Sequence, residues 1–156
     1  MFLYRVAHKS FFEDLSGTGA RLFGGRWNSQ GYAVVYTSAT VELAMLESLC
    51  HNTFSSLIRH FGLITLEVPD KVSMQEILIK DLPKNWRSFP PPSSLAKMGD
   101  RWLTRKSGLL LKVPSVIFPS SFNYLLNPAH ADFDKMKVAN RGDFNIDVRL
   151  LENLKK

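Results

Sequence analysis

The chain has 156 residues, is 45% hydrophobic and carries a formal net charge of +6. That length suits one domain, read here as residues 1–156, which buries roughly 68–70% of its unfolded surface. No run of about 18 apolar residues occurs, and the first fifteen residues include Arg5, His8, Lys9, Glu13 and Asp14, which argues against a helical membrane span and a secretory signal and predicts a soluble cytoplasmic protein.

The opening Phe2 to Ala7 is apolar and β-prone except at Arg5, which shares a strand face with Leu3 and Ala7. A guanidinium there belongs at a strand end, beside an anion, or on a solvated edge strand. After a loop or short helix over residues 10–16 comes Gly17-Thr18-Gly19-Ala20-Arg21-Leu22-Phe23-Gly24-Gly25-Arg26-Trp27-Asn28, in which glycines admit close backbone approach and Arg26, Trp27 and Asn28 supply a fork donor, a flat ring and an amide. It lacks the Gly-Lys-Ser/Thr ending of a nucleotide-triphosphate loop. The pattern predicts a hairpin with Asn28-Ser29-Gln30-Gly31 as its turn and Tyr32 to Thr37 as its return strand. Tyr36 on that strand either stacks on a ligand or caps the core.

A helix starts near Ser38 or Thr40, both good caps, and runs to Cys50. Glu42 in its first turn needs no functional account. Glu47 falls at the edge of the apolar stripe of Leu43, Leu46 and Cys50, where a carboxylate is a solvated flank or needs a partner or a cleft. Cys50 is the single cysteine, and its apolar neighbours predict a buried, inert thiol. A short helix over residues 52–60 and a strand over residues 61–68 follow, and residues 72–82 are ambiguous between strand and helix. Pro90-Pro91-Pro92 breaks the chain, and Ser94 then caps a helix from Leu95 to about Lys106 that Gly108 closes. Trp86 and Trp102 read as packing residues.

Residues 109–119 form two apolar runs around Pro114-Ser115, a strand with an interruption that can present Ser115 to a cleft. With no Gly-x-Ser-x-Gly elbow, a nucleophilic serine is not expected. Residues 120–130 read as a polar or partner-facing loop, and residues 143–150 alternate like a last strand. The four histidines and one cysteine show no metal-ligand spacing. Lys and Arg are scattered without a dense run, so the charge fits an anionic small molecule or acidic partner as well as nucleic acid.

Taken together, Gly24-Gly25-Arg26-Trp27-Asn28, the strand ending in Tyr36, Leu46-Glu47, Val113-Pro114-Ser115-Val116 and Asn123-Tyr124-Leu125-Leu126-Asn127-Pro128-Ala129-His130 resemble the RES domain family, over essentially the whole chain. The resemblance implies an α+β fold, a single compact domain of mixed or antiparallel sheets with flanking helices similar to the ADP-ribosyltransferases. It also implies a bacterial toxin of a toxin–antitoxin pair that cleaves the nicotinamide-ribose bond of NAD by hydrolysis or phosphorolysis. NAD is then substrate, inorganic phosphate a potential co-substrate, and no cofactor is needed. The implied partner is an Xre-type antitoxin covering the active site, with a homo-oligomer within the complex and nucleic acid contacted only through the antitoxin. The functional positions implied are Arg5, Arg26, Tyr36, Glu47 and Ser115, with Trp27, Asn28 and Asn123 also lining the substrate. Two departures from the family pattern, Ser121 and Ala131, leave the role of His130 open. Protein ADP-ribosylation is the alternative activity, and RNA binding or cleavage is third.

Overall fold

The computed structural model describes residues 1–144, Asp147 and Arg149. One seven-stranded sheet, in the order β4-β5-β6-β2-β1-β3-β7, organises them. Its strands are β1 (Phe2–His8), β2 (Val35–Ser38), β3 (Phe61–Glu67), β4 (Met74–Glu76), β5 (Leu110–Pro114), β6 (Phe122–Leu126) and β7 (Lys137–Gly142). Only the β4–β5 pair is parallel. Four helices accompany the sheet among the described residues: α1 (Thr18–Phe23), α2 (Val41–Leu49), α3 (Phe54–His60) and α4 (Ser93–Arg105). The expected α+β class with a mixed sheet and flanking helices is what this arrangement shows.

Period-two alternation sends neighbouring residues to opposite faces of the sheet, and each face has its own core. Leu3, Ala7, Val35, Ile64, Leu66, Leu110 and Leu126 form one. Val34, Leu111, Val113 and Leu125 join Trp27, Trp86, Leu95 and Trp102 in the other, against α4. α2 packs on β1 and β2, and α3 on β3.

Several expectations change here. The expected return strand begins at Val35, not Tyr32, and pairs with β1 and β6 rather than with the glycine segment. The glycine segment is instead the helix α1 followed by a tight turn, in which Gly25 bridges Asn28. Gly17 enters α1 at φ 72°, and a side chain there would strike the Val34 backbone. The expected loop over residues 120–130 contains β6, a strand in the middle of the sheet. Polar Asn123 and Tyr124 disguise it, yet both sides of its backbone are paired. α4 starts at Ser93 with Pro92 as its cap, and Lys106 in the left-handed region ends it, so Ser94 and Gly108 do neither job. Cys50 is exposed, because α2 ends there. Burial and nearby Glu47 still raise its thiol above the usual range, which favours the inert form. Of the strand expected over residues 143–150, residues 145, 146, 148 and 150 lie outside those described, and Asp143, Phe144, Asp147 and Arg149 are not in a strand.

Candidate active site

α2 delivers Glu47. The Thr40 hydroxyl accepts from the Leu43 amide at 3.2 Å, which fixes the start of the helix. Glu47 then lies half-buried in mid-helix, over the end of the sheet where β5 and β6 meet. Ser115 Oγ donates to Glu47 Oε1 at 2.7 Å, and Asn123 Nδ2 donates to the same oxygen at 2.6 Å. Among the described residues no donor reaches Oε2. Glu47 therefore has the partners its position demands and keeps one oxygen unclaimed.

Ser115 follows the last residue of β5 and is fully buried. Its oxygen accepts from the Ile117 and Phe118 amides at 3.1 and 3.3 Å while its proton goes to Glu47. The hydroxyl is thus saturated within the protein, and Ser115, expected to contact substrate, directly meets Glu47 in this structure. Asn123 is held from the other side by Ser38 Oγ, which donates to Asn123 Oδ1 at 2.7 Å. Ser38 and Asn123 are directly opposite in the β2–β6 ladder, and Asn123 is in turn opposite Val113 of β5.

The tight turn delivers Arg26. Its Nη1 donates to the Trp86 carbonyl at 2.6 Å and its Nη2 to the Ser88 carbonyl at 3.3 Å. Burial lowers the affinity of Arg26 for its proton, while Glu47 and Tyr36 oppose that. A guanidinium stays a cation under such shifts, so the site holds a positive group in electrostatic reach of a carboxylate.

Tyr36 braces the turn. Its hydroxyl donates to Asn28 Oδ1 at 2.8 Å and accepts from the Trp27 amide at 3.1 Å. A side chain on Gly25 would meet the Tyr36 hydroxyl at 2.6 Å, which is why glycine stands there. Burial is the main cause that raises the Tyr36 phenol well above its usual range, so the hydroxyl stays protonated. Asn28 is 1% exposed, and its Nδ2 donates to the carbonyls of Ala20, Ser29 and Tyr32. Trp27 is 3% exposed, with its ring in the core against α4. Neither side chain is free to meet a ligand. Both were expected to line the substrate; the structure places them in and beside the turn that carries Arg26, with their side chains turned into the protein.

Arg5 lies in a central strand, not at an end or an edge. Pairing with Ile64 places it on the face of Leu3 and Ala7, whereas Tyr36, Ser38 and Asn123 leave from the other face. β1 and β2 pair only at Tyr4 and Ser38, and beside that point Arg5 Nη1 donates to the Tyr36 carbonyl at 3.3 Å. Its Nε is buried without a partner among the described residues. The structure thus gathers Arg26, Tyr36, Glu47, Ser115 and Asn123, and ties Arg5 to them through the Tyr36 main chain.

Two supports were not foreseen as site residues. Ser38 was read only as a helix cap. Asp100 on α4 accepts from the Ser29 amide at 2.8 Å and from Ser29 Oγ at 2.6 Å, which anchors the segment after Asn28. Sequence held no signal for either, because each contact joins segments more than seventy residues apart.

His130 has a structural post. Its Nδ1 accepts from the Asp132 amide at 3.1 Å, which leaves the proton on Nε2, 3.3 Å from Ser73 Oγ. Ser73 Oγ also accepts from the Leu109 amide. An imidazole that presents a proton to a serine cannot serve as its base, so Ser73, His130 and Asp132 are no catalytic triad in this arrangement.

Residues 2–147 match the RES domain family. A relative from Yersinia enterocolitica named Toxin Res is 40% identical over 134 residues, covering 85% of this chain and 88% of that protein. A relative from Sphingobium sp. named Prs ADP-ribosylating toxin is 37% identical over 141 residues, with 89% and 88% covered. Among solved structures, the M. tuberculosis MbcT–MbcA toxin–antitoxin complex contains a chain that superposes with a TM-score of 0.74 at 18% identity, covering 99% of this chain and 88% of that one, a likeness of fold. With the family matched over nearly its full length and relatives this similar along most of theirs, the chain belongs to the RES domain family.

Proposed function

We propose that this chain is the toxin of a toxin–antitoxin pair and that it depletes cytoplasmic NAD by breaking the nicotinamide-ribose bond. The observation that carries the reading is Glu47, whose two protein donors both hold Oε1 while Oε2 is left for a ligand beside the Arg26 cation. In this reaction the bond between ribose C1′ and the pyridinium nitrogen breaks, its electron pair leaves with neutral nicotinamide, and positive charge develops on the ribose. Glu47 Oε2 stabilises that charge and accepts a ribose hydroxyl, as carboxylates do in glycoside hydrolysis. Water then adds through its oxygen, loses a proton and gives ADP-ribose; inorganic phosphate in its place gives the ribose 1-phosphate ester. Arg26 holds the pyrophosphate by a charge-assisted bond. The half-buried Tyr36 ring is the group we assign to nicotinamide, and Arg5 holds the strand that carries it.

The test is incubation of the purified chain with NAD, with and without phosphate, and identification of the products by mass. Free nicotinamide with ADP-ribose or its phosphate is expected, and unchanged NAD overturns the reading. Glu47→Gln should lower turnover by about 10²–10³-fold, the usual effect of deleting one preorganised electrostatic group, with the melting temperature unchanged. Wild-type turnover in that variant removes Glu47 from its role. The name of the Sphingobium relative supports a second reading, transfer of ADP-ribose to a protein. Label from adenine-labelled NAD would then appear on a macromolecule. The partner we propose is an antitoxin, supported by the toxin–antitoxin complex that shares this fold.

A further inference from the structure

Asn123 can hold Glu47 only if its amide nitrogen faces the carboxylate, because an ionised carboxylate accepts protons in hydrogen bonds and donates none. A half-turn of the amide would set Oδ1 against Oε1, two acceptors at 2.6 Å, where the nitrogen now sits. The amide therefore has a right and a wrong way round, which the carboxylate sets, and a second contact must hold it in place. Ser38 supplies that contact. It is 4% exposed, stands directly across the ladder from Asn123 and donates its only hydroxyl proton to Oδ1 at 2.7 Å. Were the amide reversed, two acceptors would face each other at Glu47, and the Ser38 hydroxyl would have to turn its proton away to accept from Nδ2.

We infer that Ser38 is a positioning residue for Glu47: by donating to Oδ1 it anchors the Asn123 amide where Nδ2 reaches the carboxylate, and hence sets which carboxylate oxygen is occupied and which is presented. The inference rests on the reading of Glu47 as the reacting carboxylate. The polarity runs in one direction, from the Ser38 hydroxyl to Oδ1 and from Nδ2 to Oε1, while Ser115 donates to the same oxygen. Neighbouring β2 residues serve packing and the turn, with Val35 in the core and the Tyr36 hydroxyl on Asn28. Ser38 is the point where β2 meets the carboxylate network.

The experiment is a double-mutant cycle on NAD turnover in the full chain. Ser38→Ala should lower kcat about tenfold with KM within about twofold, as expected when an interaction matters in the transition state and not in binding. Made in an Asn123→Ala background, the same substitution should change kcat less than about twofold, because its route to Glu47 is already gone. Ser38→Thr, which keeps the hydroxyl, should recover most of the rate. Wild-type kcat in Ser38→Ala, or losses that multiply in the double variant, overturn the inference. A second readout needs no turnover. In 15N-labelled protein, the Asn123 side-chain amide pair, identified by its disappearance in Asn123→Ala, should have one proton displaced downfield by the carboxylate, and Ser38→Ala should abolish that displacement. If it survives, Ser38 does not hold the amide against the carboxylate. Should the wild type leave NAD intact, the reading of the site fails, and the amide resonances still decide the role of Ser38.

Discussion

Glu47, Tyr36 and Arg26 differ in how far the protein has used up their hydrogen-bonding capacity, and in the proposed reaction that difference separates working groups from braces. Glu47 keeps an oxygen and Arg26 is only half-buried, whereas the Tyr36 hydroxyl both donates and accepts within the protein. Tyr36→Phe should therefore reduce stability by about 1–3 kcal/mol, since it strands the Trp27 amide and removes the donor to Asn28. Urea denaturation measures this as a lower midpoint with an unchanged slope. The same hydroxyl has a pH signature. Because folding raises the Tyr36 pKa, chiefly by burial, the folded state binds this proton more tightly than the unfolded chain does. Its contribution is whole below about pH 10, the ordinary tyrosine value, and is lost as pH climbs above that toward the folded value. Stability curves of wild type and Tyr36→Phe should accordingly converge in the alkaline range, and parallel curves would contradict the assignment.

Among the elements, those with a strong local signal were legible in the sequence. The alternation in residues 61–68 became β3, and Thr40 capped α2 as expected, which put Glu47 on the correct flank. What misled was local chemistry overruled by distant partners. Asn28-Ser29-Gln30-Gly31 does lead into a turn, with the Tyr32 amide donating to the Ser29 carbonyl at 3.3 Å and Gly31 at φ 96°, yet it closes no hairpin: Asp100 and three carbonyls claim Ser29 and Asn28, and a tighter turn precedes it at Arg26 and Trp27. α1 contains Gly19 and is flanked by Gly17 and Gly24, a poor helix by propensity. It forms where Asn28 bonds the Ala20 carbonyl. β6 was hidden because Asn123 looks like a loop residue until Ser38 and Glu47 are seen on either side of it. Gly99 of α4 had no reason to be noticed, yet a side chain there would collide with the Trp27 carbonyl. Gly99→Ala should push α4 off the turn that carries Arg26, with a loss of about 1–3 kcal/mol, the range for overpacking a filled core. Calorimetry should show the lower melting point, and NAD turnover should fall with it. An unperturbed variant would mean that α4 is free to shift.

For the molecule as a whole, a substrate that binds only the folded chain must stabilise it. Glu47→Gln offers a way to see this without turnover. With NAD at about a hundred times its dissociation constant, the added stability should be about 2.7 kcal/mol. That is a rise of roughly 5–10 °C in melting temperature for a domain of this size. Nicotinamide alone, which lacks the phosphates Arg26 would hold, should give a much smaller rise, and equal shifts would remove the phosphate contact from the argument.

The sheet order also sets a clock. The three bonds that build the carboxylate network span 85, 76 and 68 residues of chain, and β6, late in the sequence, must be threaded between β5 and β2 to make them. At about 5–20 residues per second of synthesis, several seconds separate the appearance of Glu47 from that of Asn123. A half-made chain on the ribosome therefore carries the carboxylate without its orientation, and the hazard this protein would pose to the cell that makes it is postponed until β6 has been synthesised. A ribosome-stalled chain ending near residue 120 should leave NAD untouched, and one extended past β7 should consume it.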